Sequence, residues 1–400
     1  IGIIMKCRVA VTGVGVLSAL GCSVEEVSKA LRDGRSGFVE IDDLDEDEFI
    51  VRRAAFITTE ASRLVESVEA EESAERYGIC CAREALVDAA LTKNDLDPYG
   101  TGVVIASSNA GVETNICFAE KKAAGSLLAG SMVARTPAQT VASVRMDLGL
   151  KGPQAAVSTA CAAGSNAVGM AAQMIESGEA NIMIAGGVDP FSMLSFSGFT
   201  SLKSLDVGPV RSLDESRNGT GLGEGACIFV LESLEQALER GAQVYGEILG
   251  YGLSDDAYHA TAPDLTGSGA ALAIRRCLKN SGLVPDDIDY VNVHGTGTKY
   301  NDIMELRALD AVLGNVNIPV SSTKPLHGHT LSCAGSLELL VCLIAIVNGF
   351  IPGTFGIEQP IGGFNHFSFP ATSQAMRVDV ALSTSFGFGG NNACIAVGRV

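Results

Sequence analysis

Short apolar, β-branched runs alternate with longer stretches of helical spacing along the whole chain. "RVAVTGVG", "GTGVVIASS", "PQAAVSTAC", "ANIMIAGGVD", "GACIFVLES", "GEILGYGLS", "YVNVHGTGT", "PVSSTKP" and "VALSTSFGF" read as strands covered on both faces. The helical stretches between them supply the cover, which predicts an α/β architecture in layers. Two segments share one plan. "AAVSTACAAGSNAVGMAAQMI" and "PVSSTKPLHGHTLSCAGSLELLVCLIAI" each run from an apolar strand through Ser-Thr and a chemically active residue into a small-residue elbow and a long apolar helix. Two related halves follow, 5–250 and 251–400, joined near Gly250. Both helices are apolar on too many sides for a surface, so they are expected to lie together between the sheets. That puts Cys161 and the "KPLHGH" residues at the same end of one central layer.

The elbow around Cys161 is built from residues almost as small as residues can be, "ACAAGS". A strand ending behind the Gly152-Pro153 breaker turns there into a buried helix that runs to Gly178. Unpaired N–H groups and the positive dipole end at such a turn are expected to lower a thiol's pKa and to cradle an oxyanion. The opening "VTGVGVLSALG" invites a dinucleotide reading, but Ser18 stands where a third glycine belongs and no acidic residue closes a second strand. Those glycines are read instead as serving a tight strand-to-helix turn.

Composition narrows the function. A chain of 400 residues, 47% hydrophobic and 18% charged, is globular, with core enough for two domains or one duplicated one. Its longest apolar run, "LLVCLIAIV" from Leu339 to Val347, is too short to span a bilayer. The start "IGIIMKCRVAVTG" has no secretory h-region, and Met5 reads as the natural start with residues 1–4 an extension. Eleven scattered cysteines without a C-x-x-C pair suggest a reducing, cytoplasmic setting, and no metal is expected. A formal charge of −18 argues against nucleic acid as a partner.

The chain has only five histidines, and two stand where chemistry is expected. His294 ends the strand "YVNV" and opens "HGTGT", whose Thr296 and Thr298 offer hydroxyls to a polar ligand. His329 stands in the second elbow. A cysteine at a helix start with two imidazoles suits acyl transfer followed by enolate stabilisation. Lys324 and Glu338 flank His329, and the apolar neighbours of Glu338 favour a buried pair.

"GPQAAVSTACAAGSNAV", "VNVHGTGTKYNDIMEL", "SSTKPLHGHTLSCAGSLE" and "STSFGFGGNN" resemble, in order, the motif blocks of the β-ketoacyl-acyl-carrier-protein synthases, elongating condensing enzymes of Cys-His-His type. "TGVGVLSALG", "GEGACIFVLES" and "DAYHATAP" extend the resemblance over essentially the whole chain from Met5. It implies the thiolase-like fold, two pseudo-symmetric halves in a five-layered αβαβα core. It implies decarboxylative condensation of an acyl chain on Cys161 with malonyl-acyl carrier protein, for fatty acids or dissociated polyketides and polyenes. His294 and His329 then assist decarboxylation, with Lys324 and Glu338 as the ionic pair behind the second histidine, His329. The N–H groups of Cys161 and Phe388 make the oxyanion hole, Phe388 gates it within the loop Gly387, Gly389 and Gly390, and Thr296 and Thr298 contact the pantetheine arm. No free cofactor is implied, since substrates ride on the carrier's phosphopantetheine. The expected partners are acyl carrier protein and a second ketosynthase-like subunit, identical or different.

Lys121, Lys122 and Lys203 are the candidate cations for docking an acidic carrier on this acidic chain. Ser332-Cys333, Asn391 and Asn218 depart from the family's usual residues near the pocket and gate, which leaves acyl specificity open. Two alternatives stand beside this reading. A CoA-dependent thiolase-fold acyltransferase would want a second catalytic cysteine in the C-terminal glycine motif, where Phe388 stands. A non-elongating chain-length subunit would lack the nucleophile, which is present.

Overall fold

The computed structural model describes residues 7–42, 44–45, 47–126, 135–314 and 316–400; the expected extension at residues 1–4 lies outside them. Its core is one ten-stranded sheet made of two five-stranded halves. The first half runs Gln154–Val157, Thr101–Ala106, Ile182–Asp189, Gly225–Ser233, Val9–Leu17, paired parallel, parallel, antiparallel, antiparallel. The second runs Val320–Ser321, Tyr290–Asn292, Val380–Gly387, Asn391–Gly398, Gly246–Asp255 with the same sequence of pairings. This repetition is the duplication expected from the two elbow segments. The halves are continuous with one another, because Val9, Ala10 and Val11 pair antiparallel with Ile248, Glu247 and Gly246. Gly246–Asp255 belongs to the second half by its pairing, so the chain changes halves ahead of Gly250.

Five layers result. Helices Ser73–Asp88 and Pro137–Leu148 cover the outer face of the first half. Ser268–Ser281 and Lys299–Leu313 cover that of the second. Between the halves lie Ala163–Glu176 and Ala334–Asn348, in the largest apolar cluster of the described residues. The stretch Leu331–Asn348 is long and apolar enough to cross a membrane, yet 89% of it is buried in protein, as a core helix should be.

The small residues of the elbows are explained by the crossing of the two central helices. A Cβ on Gly164 would come within 2.5 Å of the Ser332 carbonyl oxygen, and one on Gly335 would strike the Ser165 hydroxyl. Each glycine thus admits the backbone of the other helix. The glycines of the opening strand do similar work. Gly13 and Gly15 lie inside Val9–Leu17 and not in a turn, and a Cβ on either would overlap the backbone of helix Ser73–Asp88 at Ala85 or Cys81. The expectation of a tight strand-to-helix turn there is therefore corrected: these glycines let a helix settle onto the sheet.

Candidate active site

The first elbow leaves strand Gln154–Val157, passes Ala160 at φ 48°, and makes a 3-10 turn over Ala160–Ala162 before helix Ala163–Glu176. The second mirrors it, with Leu331 at φ 50°, a 3-10 turn over Leu331–Cys333 and helix Ala334–Asn348. Left-handed backbone at non-glycine residues is strained, and here it aims Cys161 off the helix axis toward the second half. Gly387, at the end of its strand, packs so closely that a Cβ there would sit 2.9 Å from the Cys161 nitrogen.

Both histidines converge on the thiol. His329 Nε2 lies 3.1 Å from Cys161 Sγ, and the His294 and His329 rings meet edge to face at 5.1 Å. Lys324, fully buried, sits behind His294 and donates to three acceptors: the His294 carbonyl oxygen, a Glu338 carboxylate oxygen and, at 3.2 Å, His294 Nδ1. An imidazole accepting at Nδ1 carries its proton on Nε2. Lys324 therefore fixes the tautomer in which His294 presents an N–H to the cavity. Burial, then the Lys324 charge, holds both imidazoles well below the usual histidine range. They are neutral at physiological pH, and His294 offers the cavity a hydrogen-bond donor. Cys161, His294 and His329 offer ligand atoms within 4.8 Å of one another, close enough to hold a metal ion. The proton fixed on His294 Nε2 leaves that nitrogen without a lone pair for a metal, so the set fits enolate stabilisation better.

The thiol behaves against expectation. Burial pushes Cys161 up to about 12, with Lys324 and the Phe388 N–H pulling it only part of the way back. The helix-start argument for a lowered thiol is overridden because the elbow is packed out of water. Cys161 rests as a thiol, and any attack by its sulfur requires the proton to leave as the new bond forms. Its ionised fraction must grow as pH rises. Site-resolved alkylation by iodoacetamide is expected to accelerate roughly tenfold per pH unit from pH 7 to 9; a plateau below pH 8 would reveal a resident thiolate instead.

The other candidate residues take distinct places. Thr296 and Thr298 bond to each other at 3.0 Å and line the cavity of about 130 Å³ that also holds Cys161, His294, His329, Phe388, Gly387, Gly389 and Gly390. Phe388 stacks on Phe199 at 5.4 Å, and Asn391 Nδ2 ties the Phe388 carbonyl at 3.0 Å. Lys203 lines a wider vestibule of about 630 Å³ outside Phe388. Lys121 and Lys122 sit exposed at the C-terminal end of helix Val112–Ala123 and line neither cavity.

Sequence reasoning missed two carboxylates. Glu305, fully buried, accepts the N–H groups of His294 and Gly295 at 2.8 Å, and Asp302 accepts those of Leu213 and Gly297. Both project from one face of helix Lys299–Leu313 and shape the "HGTGT" loop. Their i, i+3 spacing after that loop was the available signal. Phe199, which packs on both Phe388 and His329, had no signal beyond its apolarity.

Comparison with known proteins agrees with this geometry. The N-terminal domain of the beta-ketoacyl synthases matches residues 6–237, and their C-terminal domain matches 245–358. The chain belongs to the β-ketoacyl synthase family. This synthase is 37% identical over 409 residues to the 3-oxoacyl-[acyl-carrier-protein] synthase 2 of a Synechocystis strain, covering 98% of each chain. It is 34% identical to that of Vibrio harveyi, covering 99% of each. Among solved structures it resembles the ishigamide ketosynthase/chain length factor, with TM-score 0.92, 33% identity and coverage of 99% of this chain and 100% of that one. A beta-ketoacyl synthase from Burkholderia phymatum gives TM-score 0.88 at 29% identity, covering 98% and 100%. The synthase is thus an acyl-transferring condensing enzyme of thiolase-like fold.

Proposed function

We propose that Cys161 accepts the acyl chain and that His294 and His329 then stabilise the enolate left when a malonyl unit loses CO₂. The observation that carries this reading is the convergence of a thiol and two neutral imidazoles on one buried cavity, with His294 held as a donor by Lys324. The Cys161 and Phe388 N–H groups hold the tetrahedral oxyanion, and the Phe388 side chain gates the thiol. Thr296 and Thr298 contact the pantetheine arm that delivers each substrate, with no free cofactor. The chain is read as two thiolase-like units meeting in residues 234–245, the first bearing the nucleophile and the second both histidines. The intact Cys161 favours this over a non-elongating chain-length subunit. All eleven cysteines are unpaired, which supports a cytoplasmic setting.

The partner is an acidic acyl carrier protein, and the vestibule is where it docks. A structure of an acyl-carrier protein with its type II polyketide ketosynthase, TM-score 0.89 and 27% identity to this chain, supports a carrier partner. The vestibule combines exposed Ile50, Leu202, Val207 and Tyr300 with the cations Lys203 and Lys299, on a chain of net charge −18. The second subunit is a copy of this chain or a ketosynthase-like partner.

Mass spectrometry with a panel of acyl thioesters tests both points. A mass shift is expected on Cys161, from carrier-bound and from small pantetheine thioesters alike. In the Lys203→Glu/Lys299→Glu variant, KM for carrier-bound substrate should rise about tenfold or more while pantetheine thioesters react unchanged. No adduct on Cys161 from any thioester would overturn the function; an unchanged KM in the variant would overturn only the docking surface.

A further inference from the structure

We propose that Asp189 is a positioning residue for the nucleophile, a resident anion that pins the second elbow at Ser332 and, through it, the backbone carrying Cys161. Asp189 ends the strand Ile182–Asp189 and is fully buried. One carboxylate oxygen accepts from the Ser107 hydroxyl and the Ser108 N–H at 2.8 Å and from the Asn109 N–H at 2.7 Å. The other accepts from the Ser332 N–H at 2.7 Å. No cation pairs with it among the described residues, so these four donors alone offset the loss of water. Burial still wins over them and lifts the group to about 6, which leaves it mostly ionised at neutral pH.

The duplicated fold gives this carboxylate its meaning. Each elbow rests on the third strand of the opposite half-sheet. At Cys161 that strand ends in Gly387-Phe388, whose backbone closes on the thiol and leaves the N–H groups for a substrate oxyanion. At Ser332 the corresponding strand ends in Asp189, which brings an anion of its own. The mirror-image hole is therefore permanently filled. What it holds matters to the catalytic side: the Ser332 hydroxyl meets the Ser108 hydroxyl at 2.5 Å and the Ala160 carbonyl at 3.3 Å. Ala160 is the strained residue immediately before Cys161. Release of the Ser332 N–H would let this elbow shift, and the Cys161 sulfur would lose its register with His329 Nε2 and the Phe388 N–H.

Chemical rescue is the test, and it rests on Cys161 being the acyl acceptor. In Asp189→Ala, kcat for condensation should fall about 100-fold with KM changed less than about twofold, since position and not binding is lost. Added formate should restore kcat at least tenfold and leave the wild type unaffected. Should Asp189→Ala fail to fold, the same-sized Asp189→Asn decides. It places an amide N–H₂ among four donors, so condensation should drop while Cys161 alkylation by iodoacetamide holds steady or quickens with the negative charge gone. Wild-type kcat in the folded variants, no gain from formate in a folded Asp189→Ala, or parallel loss of alkylation and condensation in Asp189→Asn would each overturn the proposal. Wild-type protein that takes no acyl group would instead refute the assigned function.

Discussion

Cys161→Ala should abolish condensation, a loss of about 10⁴-fold or more, because every later step needs the acyl group on sulfur. The other half of the reaction should survive in altered form. Cys161→Gln, whose amide imitates the acylated state, should still release CO₂ from malonyl-carrier. His294→Ala should do the reverse: the acyl-enzyme forms, but CO₂ release falls about 100- to 1,000-fold, the cost of removing one preorganised donor from a developing oxyanion. Acyl-enzyme mass and radiolabelled CO₂ separate these outcomes. Decarboxylation persisting in His294→Ala while acylation failed would show that the roles had been assigned the wrong way round.

Lys324→Met should unfold the site before it merely slows it. The ammonium is fully enclosed, and its removal leaves Glu338 charged and unpartnered in the core, a destabilisation of about 3–5 kcal/mol. Lys324→Met/Glu338→Leu removes both charges, and most of that stability should return in a denaturant titration. Decarboxylation should not return with it. Without the ammonium nothing fixes the proton of His294 on Nε2, so the oxyanion loses an assured donor. A stable double variant with wild-type CO₂ release would reduce Lys324 to a structural ion.

Much of this was legible in the sequence because the physics that sets it is local. Unbroken apolar runs mark strands buried on both faces, and the repeated strand-elbow-helix plan announces the duplication before any coordinate is known. Cys161, His294, His329, Lys324 and Glu338 could be singled out because each stands out from its surroundings: a thiol among small residues, imidazoles just past a strand and in an elbow, a lysine flanking that elbow and a carboxylate in an apolar helix. What stayed hidden depends on distance in space. The ionisation of Cys161 is decided by how tightly the second half closes over the elbow, and no nearby residue encodes that. Asp189 looks like any strand-ending acid until the loop at Ser107 and the elbow at Ser332, 143 positions away, are seen donating to it. Gly13 and Gly15 suggest a turn in the sequence, and only the helix resting on them shows their use.

The reciprocal glycines at the helix crossing bear on how such a chain can be recombined. Gly164 stands against Ser332 and Ser336, Gly335 against Ser165 and Ser385, with nothing larger than a serine side chain at the crossing to absorb a mismatch. The Val9–Val11 ladder to Gly246–Ile248 fastens the same two halves at another point. A chimera spliced within residues 234–245 would inherit each half intact and still have to satisfy both seams. The halves are copies in plan but not spare parts for one another, and a transplanted half needs its own glycine opposite a serine-sized neighbour before its histidines can meet a foreign cysteine.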